Sequence, residues 1–227
     1  MAAYFPFFAQ LSIPTIMTVV QFTFNPFQEN TYLLVEGKKA WIVDPGCYTT
    51  QEQSELVDYI EENDLAVEAV VNTHCHLDHV LGNAFCCKLF SVPLWAPARD
   101  QYLLDNLERS AAVWGIGNVE ESPAIDLDLN GETELVLGAA KFEILQVPGH
   151  TPGHVVLSNK ADSTAIVGDV LFKGSIGRTD LPGGNHETLI KSIKEVLFEL
   201  KDDTLVYSGH GPETTIGEER KSNPWLV

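Results

Sequence analysis

Three histidines and an aspartate fall within six residues, in Thr73-His74-Cys75-His76-Leu77-Asp78-His79, directly after the mostly apolar run 67–71. That run is rich in β-branched residues and predicts a buried strand. The cluster therefore sits where a strand ends, with a helix predicted over 80–89. With only seven histidines in 227 residues, three in one hexapeptide point to a common ligand. Neutral imidazole nitrogen and carboxylate oxygen are donors that zinc, iron and manganese accept. A fold that carries this motif must hold its loop rigid and bring further donors to it.

The further donors are present, each beyond its own strand-like run. His150 lies in Pro148-Gly149-His150-Thr151-Pro152-Gly153-His154 after 142–147, Asp169 follows 164–168, and His210 follows 205–207 in Ser208-Gly209-His210-Gly211-Pro212. Loops mounted on a sheet are where catalytic groups collect. His74, His76, Asp78, His79, His150, Asp169 and His210 make seven candidate ligands, more than one catalytic zinc takes. They suit two divalent ions sharing a carboxylate. One arrangement puts His74, His76 and His150 on the first ion and Asp78, His79 and His210 on the second, with Asp169 between them. Such ions bring the pKa of bound water to about 7, so a nucleophile exists without a reactive Ser or Cys.

The HxHxDH motif, followed by His, Asp and His in this order, resembles the metallo-β-lactamase superfamily, and within it the glyoxalase II-type branch. The likeness runs from Val19 to the C-terminus. It is strongest with short bacterial proteins that share Gly168-Asp169-Val170-Leu171-Phe172-Lys173-Gly174, Ile176-Gly177-Arg178-Thr179-Asp180 and Asn223-Pro224. The resemblance implies an α+β fold, a four-layer αββα sandwich, over residues 17–227 as a single domain, with 1–16 as an N-terminal extension. It implies the seven metal ligands above and two divalent ions, zinc first, with iron or manganese as alternatives. The implied reaction is thioester hydrolysis of the hydroxyacylglutathione type by a hydroxide shared between the ions, with Asp78 as the catalytic carboxylate. Arg178 and Lys173 are the implied substrate-binding cations, although Arg178 could equally pair with Asp180. Asp44, in Val43-Asp44-Pro45-Gly46, and Thr73 are expected to orient ligands from behind. His154 and His186 are expected to make local contacts only.

Two departures weaken the glutathione part of the likeness. The C-terminal basic helical region of full-length glyoxalase II proteins has no counterpart, and Asp180 and Pro212 stand where that family has substrate-contacting tyrosines. A competing reading is a mononuclear iron persulfide dioxygenase. It would use His74 or His76 with His150 and Asp169 as two histidines and one carboxylate. A non-catalytic metal-binding module is a third.

Charge narrows the partners. The net charge of −18 repels phosphate backbones and anionic lipid, so a small-molecule thioester is expected rather than nucleic acid or membrane. No uninterrupted apolar run reaches the length of a transmembrane helix. Segment 1–16 lacks a basic start and contains Pro6 and Pro14, which argues against a signal peptide. Cys47, Cys75, Cys86 and Cys87 form no CxxC pair and are expected as reduced thiols in a cytoplasmic protein. Strand alternation turns Cys75 away from the metals. Helices are predicted over 52–62, 98–114 and 187–200, the last with apolar positions at a 3.6-residue period.

Overall fold

Most of the longer strands of this chain bury both faces, and the two faces pack into different layers. The computed structural model describes residues 17–227, so the extension 1–16 lies outside the described residues. The N-terminal half forms a six-stranded sheet in the order β1 (Thr18–Phe24), β2 (Glu29–Glu36), β3 (Lys39–Val43), β4 (Ala66–Val71), β5 (Leu94–Ala96) and β6 (Leu127–Asp128). β7 (Glu134–Leu137), β8 (Ala140–Gln146), β9 (Val155–Asn159), β10 (Thr164–Gly168), β13 (Leu205–Ser208) and β14 (Thr214–Thr215) form a second sheet. β11 (Leu171–Phe172) and β12 (Ser175–Ile176) pair beside it as a short ribbon.

Successive side chains point to opposite faces of a strand. In β3, Trp41 and Val43 enter the layer between the sheets while Ile42 turns outward. In β10, Ile166 faces inward, and Ala165 and Val167 face out. The inner layer is centred on Trp41, Tyr32, Phe142, Leu137 and Leu157. The outer face of the first sheet is covered by helices that include α1 (Thr50–Glu62), α3 (Asn83–Phe90) and α5 (Leu107–Trp114), through Leu56, Ile60, Cys86 and Leu107. The outer face of the second sheet is covered by α6 (His186–Glu195) and α7 (Ile216–Ser222), through Leu189, Ile193 and Ile216. Three apolar layers separate four layers of structure, which is the expected αββα sandwich. A tight hairpin joins β2 to β3, with Glu36 opposite Lys39.

Three helices differ from expectation for local reasons. The helix after the histidine cluster starts earlier and breaks, giving α2 (Leu77–Val80) and then α3. At the break Gly82 N–H donates to the Pro45 carbonyl at 2.7 Å, and a side chain there would strike that carbonyl. The stretch 98–114 is not one helix but a 3₁₀ turn, α4 (Gln101–Leu104) and α5. Asn106 donates its side-chain amide to the Tyr102 carbonyl at 2.8 Å, a local bond of the kind that competes with helix continuation. The predicted helix 187–200 ends as α6 at Glu195 and tightens into a 3₁₀ turn, Leu197–Glu199, that still buries Leu197.

Candidate metal centre

All seven predicted ligands leave the same edge of the two sheets. The loop after β4 carries His74 and His76, and α2 presents Asp78 and His79 in its single turn. His150 comes from the β8–β9 connection, Asp169 from just after β10, and His210 from just after β13. Because β10 and β13 run parallel, their ends deliver Asp169 and His210 side by side.

The side chains converge in two sets. One ligand atom from each of His74, His76 and His150 lies within 4.8 Å of the others, and the same holds for Asp78, His79 and His210. His76 Nδ1 faces His150 Nε2 at 2.8 Å. His210 Nε2 lies 3.1 Å from Asp78 Oδ2. Asp169 reaches both sets, with its carboxylate 3.7 Å from His150 Nε2, 3.4 Å from His79 Nε2 and 3.6 Å from His210 Nε2.

The opposite ring nitrogens are tied down. His150 Nδ1 donates to the Arg178 carbonyl at 2.7 Å, and His210 Nδ1 lies 3.1 Å from the Phe27 carbonyl. Thr73 Oγ1 lies 3.1 Å from His74 Nδ1 and donates to Asp44 Oδ2 at 2.6 Å. That same Asp44 oxygen lies 3.3 Å from His79 Nδ1. Each bond leaves the inward nitrogen with its lone pair, as a metal ligand requires. Asp44 is held for this task at φ +49°, rare for a residue with a side chain, and the Thr73 N–H fixes its other oxygen at 2.7 Å. Asp44 and Thr73 thus lie behind His74 and His79.

The donor set fits divalent metal. His74 Nε2, His79 Nε2 and Asp169 Oδ1 are buried without a hydrogen-bond partner among the described residues. Unpaired buried polar atoms are costly, and three from the residues that converge here fit a site for cations. Gly209 keeps that space open, since a side chain there would strike Asp169 Oδ1 and His79 Cε1.

Electrostatics separates the two sets. Burial drives His74 far below the ordinary imidazole value, and neighbouring histidines add to it. His76 is pushed down to about 3 by burial and His150, and burial also lowers His150 against the pull of Asp169. Burial would lower His79 as well, but Asp169 and Asp78 outweigh it and raise that residue. His210 is likewise raised, its burial outweighed by the Asp78 hydrogen bond and the Asp169 charge. Burial opposes ionisation of Asp78 and Asp169, yet His79 holds both below the usual carboxylate range. In the metal-free protein the His74, His76 and His150 set is biased toward neutral imidazole, while His79 and His210 are biased toward the protonated form, which a metal must displace. Metal held by the Asp78, His79 and His210 set should therefore release more protons on binding and should leave first as pH falls. Calorimetric titration in buffers of different ionisation enthalpy measures this, and equal proton release for both equivalents would contradict it.

Not every expected contact is a site contact. Arg178 lines the cavity beside the centre, but its guanidinium makes two bonds to Asp180, at 2.7 and 2.8 Å. Lys173 also lines the cavity. His154 accepts from Asp169 N–H at 3.2 Å and stacks on His74, so it supports two ligands from behind. His186 opens α6 and packs against Trp225, away from the centre. Cys75 points into the outer core, and all four cysteines are buried and free.

Two buried carboxylates escape sequence reasoning. Asp100 accepts from Thr151 Oγ1 at 2.6 Å, from Gly153 N–H at 2.7 Å and from Cys75 N–H at 3.4 Å, tying the two histidine loops together. Glu29 accepts from Thr31 Oγ1 at 2.9 Å and places its other oxygen 3.7 Å from His79 Nδ1. Asp100 sits in an ordinary helix-start sequence, and Glu29 sits in a strand. Nothing local marks either.

The arrangement agrees with the sequence likeness. The profile of the metallo-beta-lactamase superfamily matches residues 24–210. The chain belongs to this superfamily. Among the members it is similar to, the hydroxyacylglutathione hydrolase GloC of Haemophilus influenzae is 42% identical over 203 residues, covering 88% of this chain and 93% of that protein. The crystal structure of the BLEG-1 B3 metallo-beta-lactamase superposes with a TM-score of 0.85 at 34% identity, covering 92% of this chain and all of that one. The di-iron-bound form of TTHA1623 superposes with a TM-score of 0.82, also at 34% identity and with the same coverage. Metallo-beta-lactamase superfamily membership accounts for the two packed sheets with helices outside them. Among the described residues, no helix is long and apolar enough to cross a membrane.

Proposed function

We propose that this chain is a binuclear metallohydrolase that cleaves thioesters of the hydroxyacylglutathione type. The observation that carries the reading is the position of Asp169, whose carboxylate lies within 3.7 Å of histidines from both ligand sets. A mononuclear centre, as in a persulfide dioxygenase, would leave Asp78, His79 and His210 converged without a task. The relation to a hydroxyacylglutathione hydrolase supports the thioester class. Zinc is the first choice of ion, with iron or manganese also compatible with mixed N and O donors, and a similar protein holds two irons.

His74, His76 and His150 would hold one ion, Asp78, His79 and His210 the other, with Asp169 shared. The ions supply water ionised at neutral pH and Lewis-acid polarisation of a carbonyl. The chain does the rest. Asp78 keeps its carboxylate ionised beside His79 and His210, and faces the cavity, so it can orient the attacking water and take its proton. His150 and His210 are clamped by backbone carbonyls and cannot swing away as charge develops. The buried free cysteines suit a cytoplasmic setting.

Lys173 and Arg178 would hold the anionic end of the thiol at the cavity rim. Arg178 is half-exposed and shares its charge with Asp180, so its contribution is small. Arg178→Ala is expected to raise KM by about three-fold, and to change kcat less than KM, as for binding common to ground and transition states. A kcat loss larger than the KM rise would remove Arg178 from this role. The reading itself is tested by thiol release from a hydroxyacylglutathione by protein loaded with two equivalents of zinc or iron. Release should be rapid and chelator-sensitive. Absence of release, together with oxygen uptake on a persulfide at one iron per chain, would replace hydrolysis with dioxygenation.

A further inference from the structure

A single cavity of about 1080 Å³ opens over the metal centre, with His76, Asp78, His150, Asp169 and His210 as its floor. That is at the upper end of small-molecule sites, which run to roughly 1,000 Å³. An acetyl- or lactyl-sized acyl group would occupy a small fraction of it. The walls are mostly apolar, with Asn106, Ser110 and Ser175 set among the apolar side chains. One side is built by Leu103 of α4 and by Leu107, Val113 and Trp114 of α5. The facing side is built by Phe172, Ile176 and Leu181. Tyr102 joins the two sides by donating to the Pro182 carbonyl at 2.8 Å. Trp114 is held against Phe27 in an edge contact at 5.8 Å, yet it stays 48% exposed, and Val113 is 76% exposed. Among the described residues, the Lys and Arg side chains that line the cavity are Arg109, Lys173 and Arg178.

Building on the thioester reading, we infer that the acyl half of the substrate is a bulky apolar chain or ring, seated between α5 and the Phe172–Leu181 wall. Three observations carry this. The apolar walls are continuous with the metal floor, so a carbonyl placed at the floor sends its acyl group along them. The volume exceeds what a short hydroxyacyl group fills. Large apolar side chains are left exposed at this mouth, where an acyl chain would cover them. The same continuity with the floor favours a substrate over a protein partner as the occupant. The thiol half, with whatever charge it carries, then projects past the rim cations.

The test uses S-acyl N-acetylcysteamines from acetyl to octanoyl, whose thiol has no charged tail, with the fully metal-loaded protein. A fully buried methylene is worth about four-fold, so even half of that benefit should make octanoyl kcat/KM about 50-fold higher than acetyl. Trp114→Ala should compress the octanoyl-to-acetyl ratio by about five-fold or more, and Trp114→Phe should restore most of it. A second readout needs no turnover: octanoate should bind far more tightly than acetate by calorimetry, and this difference should shrink in Trp114→Ala. A flat chain-length profile with active enzyme would overturn the inference while leaving thioester hydrolysis intact. So would a hydroxyacylglutathione that outperforms every neutral apolar thioester. If no thioester is cleaved but octanoate binds selectively through Trp114, the apolar cleft stands and hydrolysis falls. If neither occurs, both fall.

Discussion

Asp169→Ala should remove at least one metal ion per chain and lower kcat by about 10³-fold, since Lewis-acid and nucleophile-generating effects are worth several kcal/mol. The carboxylate is the group that faces histidines of both ligand sets, and its Oδ1 has no hydrogen-bond partner among the described residues. Losing it also leaves His79 without the charge that contributes most to raising its pKa. The residue sits beyond the end of β10 rather than in a core layer, so the sheets should survive. Elemental analysis, circular dichroism and steady-state kinetics on one preparation separate these effects. Near-normal turnover at a full complement of metal would show that Asp169 is not shared.

Asp100→Ala should have the largest effect of any residue that does not point at the centre. Its carboxylate accepts three bonds, from Thr151, Gly153 and Cys75, and thereby couples the His74–His76 loop to the His150 loop. Removing it leaves buried donors unpaired at about 1–3 kcal/mol each, so a loss of about 3–5 kcal/mol is expected. For a chain of this size that lowers Tm by about 6–20 °C. Metal affinity should fall by about 10- to 100-fold, because the histidines lose the support that sets their spacing. Asp100→Asn keeps the shape and part of the accepting capacity, and should recover much of the stability. An Asp100→Ala protein with unchanged Tm and metal affinity would show that the loops are set by backbone alone.

The convergence of the candidate ligands was legible because chemistry and position coincide in this sequence. His74, His150, Asp169 and His210 each follow an apolar run, and a strand end on a packed sheet is a fixed place. The αββα layering was legible only through the family resemblance, because a run such as Trp41-Ile42-Val43 is apolar throughout and its two faces separate only in the fold. Helix continuity was less legible. The breaks at Gly82 and Asn106 depend on bonds to Pro45 and Tyr102 that helical periodicity does not encode. Arg178 shows a different limit: pairing with Asp180, two residues on, was visible as an option, but geometry was needed to decide it. Asp100 and Glu29 were invisible because their partners are distant in the chain or are set by the packing of loops. Trp95 and Trp114 look alike in sequence. In the fold Trp95 packs against Trp41 between the sheets, while Trp114 lines the cavity.

The most direct test of the central claim is a metal titration of metal-free protein, with thioester hydrolysis measured at each step and bound metal counted by elemental analysis. Two sets of donors sharing Asp169 predict binding that saturates at two ions per chain, with full activity reached only as the second ion enters. Saturation at one ion per chain, with activity already maximal and His79 and His210 unbound in the metal-loaded crystal structure, would contradict a binuclear hydrolase.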